Sequence, residues 1–168
     1  MDTIKGNLLN LVRGIMVFGC NCQGEMTGGF GKLVHDKWPD VRRAYTQVSD
    51  ANLLRLGDIV AVAGTGVNQQ AVFPHVVTYS TQIPEELIVV NAMTEFKCGT
   101  DPDKVYVDYD AVEACFTRVR MLARDSGLPV HFPLIGCGLA HGKWEEVAPR
   151  IQQGLGNNVP STLWKFEG

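Results

Sequence analysis

The sequence predicts an α/β protein with helices packed on both faces of a largely buried sheet. Three observations carry that expectation. Ile15–Cys20 (IMVFGC) is an almost unbroken apolar run, as a central strand covered on both faces requires. Two stretches repeat apolar residues at helical spacing: Val41, Ala44, Tyr45 and Val48, then Val112, Cys115, Phe116, Val119 and Leu122. Strand-like and helix-like segments are interspersed along the chain instead of falling into separate blocks.

In chain order, Asp2–Lys5 reads as a short strand closed by Gly6-Asn7, and Ile15–Cys20 as the central strand. A loop, Asn21–Gly31, follows it and leads into a helix with Thr27 as the expected N-cap. Trp38-Pro39-Asp40 marks a second helix start, with Pro39 at the first position and Asp40 in the first turn. A β region comes next: Asp58–Ala63, His75–Ser80 and Glu86–Ala92, separated by Gly64-Thr65-Gly66 and Gln82-Ile83-Pro84. Asp110 is the expected cap of the longest helix and Gly127 its stop. Val130–Ile135 is another strand, with Pro133 expected near its end because it cannot donate to a ladder. Trp144, Val147, Ala148, Ile151 and Leu155 define the last helix. Pro149 inside it predicts a kink or a late start. Thr162–Phe166 closes the chain as a strand.

The 168 residues suit one domain spanning the whole chain, with no linker, repeat or low-complexity tract. A chain of this size buries about 70% of its unfolded surface, so it needs no disulfide or metal staple. The net charge of −3 and the absence of a Lys/Arg run argue against nonspecific nucleic-acid binding. No apolar run approaches the ~20 residues of a membrane helix. Five scattered cysteines and no signal-peptide pattern at Met1–Lys5 read as free thiols in a cytoplasmic protein. No His, Asp or Glu cluster has metal spacing, so neither a metal nor a cofactor is expected.

Two glycine-rich loops follow strands: Asn21–Gly31, and Ile135–Gly142 (IGCGLAHG). Open α/β sheets bind ligands beyond the carboxyl ends of their strands. Glycine lets the backbone approach a bulky anion, successive N–H groups then point at its oxygens, and a following helix adds its dipole. The bland alternative is that these glycines only make tight turns. Neither loop is a standard nucleotide motif.

The motifs do resemble one family. Lys5-Gly6-Asn7-Leu8-Leu9, Asn21-Cys22-Gln23-Gly24, Met26–Gly31 and, most specifically, Pro133–Ala140 resemble the macrodomain family. The likeness is to the branch holding ADP-ribose-1″-phosphate phosphatases, terminal ADP-ribose glycohydrolases and bacterial and phage relatives. The resemblance implies a three-layer α/β/α sandwich with a mixed central sheet and a cleft for ADP-ribose. It further implies that Asn7, where relatives carry Asp, meets adenine while Leu8 supplies an N–H. Gln23, Gly24, Met26, Gly28, Gly29 and Phe30 would surround the distal ribose. Ile135, Gly136, Cys137, Gly138, Leu139 and Ala140 would hold the diphosphate. Trp164 and Phe166 match positions beside adenine; packing of a terminal strand would explain them equally.

Departures from the family pattern bear on chemistry. Val90–Glu95 holds no Lys, and Ala140 replaces an Asp, so the covalent lysyl mechanism of the glycohydrolases is unavailable. His141 and Lys143 stand where relatives carry Gly and Asp, making that rim more basic. Asn21 is expected to orient a water or a ribose hydroxyl, or else to satisfy the loop backbone. His141 is the candidate general acid. Cys137 reads as a small loop residue, and Glu95, Cys98 and Asp101 as neighbours of the cleft. The leading expectation is a hydrolase removing phosphate from ADP-ribose 1″-phosphate. The alternatives are an ADP-ribosyl hydrolase acting on modified protein or nucleic acid, and a noncatalytic ADP-ribose reader.

Overall fold

The computed structural model describes residues 1–26, 28–68 and 76–166. Seven strands form one sheet: β1 (Asp2–Lys5), β2 (Arg13–Asn21), β3 (Ile59–Gly64), β4 (Val76–Ser80), β5 (Glu86–Glu95), β6 (Val130–Phe132) and β7 (Ser161–Lys165). Their order across the sheet is β1-β7-β6-β2-β5-β3-β4. Every adjacent pair is parallel except β3 with β5, so the sheet is mixed.

Four helices cover it: α1 (Gly29–Lys37), α2 (Pro39–Asp50), α3 (Tyr109–Ser126) and α4 (Trp144–Leu155). The alternation of strand side chains sorts β2 between two cores. Ile15 and Val17 join Val112, Phe116, Val147 and Ile151 under α3 and α4. Met16, Phe18 and Cys20 join Val34, Val41 and Tyr45 under α1 and α2. The expected three-layer sandwich is thus present, and the unbroken apolar run in β2 is accounted for. Among the described residues, no helix is long and apolar enough to cross a membrane.

Several local expectations are corrected. The cap of α3 is Asp108, whose carboxylate accepts from Ala111 N at 2.9 Å; Asp110 sits in the first turn and pairs with Arg150 at 2.6 Å. The strand expected over Val130–Ile135 stops at Phe132, since Pro133 has no N–H to continue the ladder. The helix holding Pro149 does not start late: it begins at Trp144, five residues earlier. The N-cap of α1 is Gly28, without a side-chain cap; the Thr27 expectation falls outside the described residues, as does His75.

One irregularity matters for the site. β5 runs three residues past the expected Ala92, and its pairing with β2 slips at the end, so that Cys20 faces Met93 but Asn21 faces Glu95. Such irregularities re-aim side chains at strand ends.

Candidate functional site

Strands β2, β5 and β6 are mutually parallel, so their carboxyl ends open on the same edge of the sheet. Two adjoining cavities occupy that edge. One, of about 180 Å³, lies between the first loop and the start of α1 on one side and residues 133–140 on the other, with Asn21, Thr94 and Glu95 as its floor. The second, of about 380 Å³, is lined by Asn7, Leu8, Leu33, Cys137, Trp164 and Phe166. Phe30, Pro133, Leu134 and Gly138 border both, so the two are halves of one cleft.

The expected ligand residues divide between the halves. Asn7, Leu8, Cys137, Trp164 and Phe166 line the larger cavity, whereas Met26, Gly28, Gly29, Ile135, Gly136, Leu139 and Ala140 line the smaller. Trp164 is fixed there by its indole N–H, which donates to His131 Nδ1 at 2.9 Å. Asn7 caps the short turn Leu8–Asn10, its Oδ1 accepting from Leu9 N at 3.0 Å, which leaves the amide N–H₂ as its remaining polar group. Across the smaller cavity the two loops nearly touch: a Cβ added to Gly28 would sit 3.2 Å from Leu139 Cδ1. A Cβ on Gly138 would meet nothing within 4 Å, because that position faces the open cleft.

Backbone donors converge on the smaller cavity. The first-turn N–H groups of an α-helix have no partner within the helix, and α1 has no side-chain cap, so Gly29, Phe30 and Gly31 offer theirs to the cleft wall they line. On the opposite wall, the loop closes on itself through Gly142 N to Gly136 O (2.6 Å) and His141 N to Gly138 O (3.0 Å). The consecutive N–H groups of Gly138, Leu139 and Ala140 have no partner among the described residues. An uncapped helix start and a run of free N–H groups together form an anion cradle.

Four expected site residues are placed differently from their sequence reading. His141 lines neither half. It is exposed, adopts φ 58°, and its Nδ1 donates to Lys104 O at 2.8 Å, which turns it away from the cleft. Gln23 reaches out to Phe96 O at 3.2 Å. Gly24 lies at φ 75° with Ser49 where a Cβ would stand, so its lack of a side chain serves packing. Asn21 does border the cleft, but its amide is spent on the loop. Its Oδ1 accepts from Gln23 N (2.9 Å), Glu25 N (3.2 Å) and Tyr45 OH (3.0 Å), and its Nδ2 donates to Glu25 O at 2.6 Å. Asn21 therefore shapes the first loop. Asp101 binds Asp103 N in an ordinary turn outside both halves.

The smaller cavity is acidic, a feature the sequence reading missed. Glu25 and Glu95 line it together with Cys98, and among the described residues no Lys, Arg or His lines either half. Burial raises the Glu95 carboxyl above the ordinary carboxylate range. Cys98 donates to Glu25 Oε2 at 3.1 Å, and that bond, with burial, raises its thiol. Burial likewise keeps Cys137 protonated, as expected of a small loop residue and not of a nucleophile. Glu25 stands inside the first loop, where the sequence reading named Asn21, Gln23, Gly24, Met26 and Phe30 but gave Glu25 no role. The position of Glu95 depends on the slipped register of β5, which residue types do not encode.

Beneath the loop, α1 is pinned by buried His35, whose Nε2 lies 2.7 Å from Asn91 Oδ1. Asn91 Nδ2 in turn donates to Val60 O at 3.0 Å. Among the described residues, no group of three or more His, Cys, Asp or Glu is arranged to hold a metal ion.

No protein-family model matches the sequence, and no curated relative does either. Solved structures match it over nearly its full length. A Bacteroides thetaiotaomicron protein of unknown function superposes with TM-score 0.77 at 25% identity, covering 97% of this chain and 96% of that one. The macrodomain of Thermus aquaticus DarG gives TM-score 0.72 at 20% identity, covering 99% and 97%. Thermosipho africanus DarTG, solved in complex with ADP-ribose, gives 0.71 at 15% identity, covering 99% of this chain and 42% of that one. The sheet order, the two helical layers and these superpositions together show that the chain has the macrodomain fold.

Proposed function

We propose that the chain binds ADP-ribose along the cleft and hydrolyses the bond joining the anomeric carbon of its distal ribose to another group. The observation that carries this reading is the paired set of free N–H groups on opposite walls of the smaller cavity, beside a larger apolar cavity. A diphosphate suits the first and a purine the second, where Trp164, Phe166 and Leu8 offer flat apolar contact and Asn7 one polar group. The ADP-ribose complex of a structural neighbour supports the same ligand.

The charge of the distal end selects among the reactions. A terminal phosphate on the distal ribose would face Glu25 and Glu95 with no side-chain cation lining the cleft among the described residues. The basic His141/Lys143 rim, which would suit an extra phosphate on the distal ribose, does not line it. Carboxylates beside a sugar are instead the equipment of glycosidic hydrolysis. The test offers the protein ADP-ribose linked to serine and, separately, ADP-ribose 1″-phosphate, following products by phosphorus NMR and chromatography. Release of ADP-ribose from the serine glycoside at a rate well above release of inorganic phosphate is expected. The reverse order, with oxygen from labelled water entering the released phosphate and not the sugar, would establish the phosphatase, and binding without turnover of either substrate would establish a reader.

A further inference from the structure

We propose that Glu95 is the general acid and Glu25 the water-activating base of the hydrolysis, with Asn21 and Cys98 as the residues that position Glu25. This assignment rests on the glycosidic reading above and gives it a mechanism.

Glu95 ends β5 at the floor of the smaller cavity, and its main chain is fixed from two sides. Its carbonyl accepts from Cys22 N at 3.1 Å, and it pairs with Val107 in an isolated bridge. Its carboxyl, by contrast, makes no hydrogen bond or ion pair among the described residues, although the side chain is partly buried. A half-buried carboxyl held on a rigid strand end without a partner serves no packing purpose that an amide or alkyl group would not serve better. Burial raises its proton affinity above that of an ordinary carboxyl, the direction a general acid requires.

Glu25 shows the complementary arrangement. The Asn21 amide grips both sides of its peptide unit, taking Glu25 N and donating to Glu25 O, while Cys98 donates its S–H to the carboxylate. The slipped register sets Asn21 directly opposite Glu95. Asn21, which clamps Glu25, and the strand end carrying Glu95 are therefore direct neighbours in the sheet, and both glutamates line the same cavity.

The bond from the anomeric carbon to the leaving oxygen breaks, and its electron pair goes to that oxygen, which takes the proton of Glu95. Water adds to the anomeric carbon and loses its proton to Glu25. Exchange with solvent then returns a proton to Glu95 and removes one from Glu25, leaving free ADP-ribose and an alcohol.

The experiment compares the unsubstituted chain with Glu95→Gln and Glu25→Gln on two substrates, ADP-ribosyl serine and ADP-ribose para-nitrophenyl glycoside. Calorimetry with ADP-ribose on each protein reports that fold and ligand binding persist. A general acid matters only when the leaving group needs a proton. Glu95→Gln should therefore slow serine release about 100-fold or more, and its loss on the nitrophenyl substrate should shrink to within about 10-fold. Glu25→Gln should slow both substrates alike, because either reaction needs water to add to the anomeric carbon and lose its proton. Equal losses on the two substrates for Glu95→Gln would overturn its role as acid. Should the unsubstituted chain bind ADP-ribose yet cleave neither glycoside, the glycosidic reading itself would fall and the assignment with it. If Glu95→Gln unfolds, Glu95→Ala, which also lacks the acidic proton, provides the same comparison.

Discussion

The two glycine-rich loops keep their shapes by different means. The first is held by side chains: the Asn21 amide collects four hydrogen bonds within it and beneath it, and Tyr45 OH donates to Asn21 O at 2.6 Å from α2. The second is held by the main chain, through Gly142 N to Gly136 O and the Tyr106 and Val107 N–H groups on Ala140 O at 2.8 and 3.3 Å. The first loop can therefore be unmade by one substitution that touches no ligand. The second spends carbonyls on itself and keeps N–H groups free, so it fails chiefly when a side chain invades the space in front of them.

Three expected outcomes sharpen that contrast. The largest belongs to Asn21→Ala. It strips partners from the Gln23 and Glu25 N–H groups and from Glu25 O, while Tyr45 OH keeps the Asn21 main-chain carbonyl, at a cost of about 1–3 kcal/mol. Urea unfolding should show that loss, with weaker ADP-ribose binding beside it. Unchanged stability together with a slowed reaction would return Asn21 to direct chemistry. Glu95→Gln, at the junction of the two loops, should leave stability nearly intact while slowing the reaction, as described above. The smallest effect is expected from His141→Gly. Glycine relieves the left-handed backbone at φ 58°, worth about 1–2 kcal/mol, against comparable losses in chain entropy and in the Lys104 contact. Stability should stay within about 1 kcal/mol and turnover should not change. A tenfold drop in turnover would put His141 back among the catalysts.

Much of the fold was legible because apolar periodicity reports burial directly. The run in β2 and the stripes of α2 and α3 could satisfy no other packing. The place of the second loop was legible for a related reason: a glycine run directly after an apolar strand marks a tight turn at the strand's carboxyl end, where the cleft lies. Three features were not legible. Asp108 and Asp110 are both good caps by type, and only the geometry of the turn decides that Asp108 reaches Ala111 N. Gly24 and Gly138 look alike in sequence, yet one faces Ser49 and the other the open cleft. Glu95 was placed beside the cleft by resemblance, but its seat opposite Asn21 depends on a one-residue slip between β2 and β5, a tertiary event with no local signature.

On the proposed reading, the free N–H groups on the two facing walls bind the diphosphate of ADP-ribose. The direct test is calorimetric titration of ADP-ribose into the unsubstituted protein and into Gly138→Val, with thermal unfolding of both. A Cβ at Gly138 meets no protein atom within 4 Å, so the valine should fold normally and fill the ligand's space. Saturable binding to the first protein and a loss of at least about 100-fold in the second, about 2.7 kcal/mol, is the predicted result. Equal affinity for a normally folded Gly138→Val would place the diphosphate elsewhere and contradict the account.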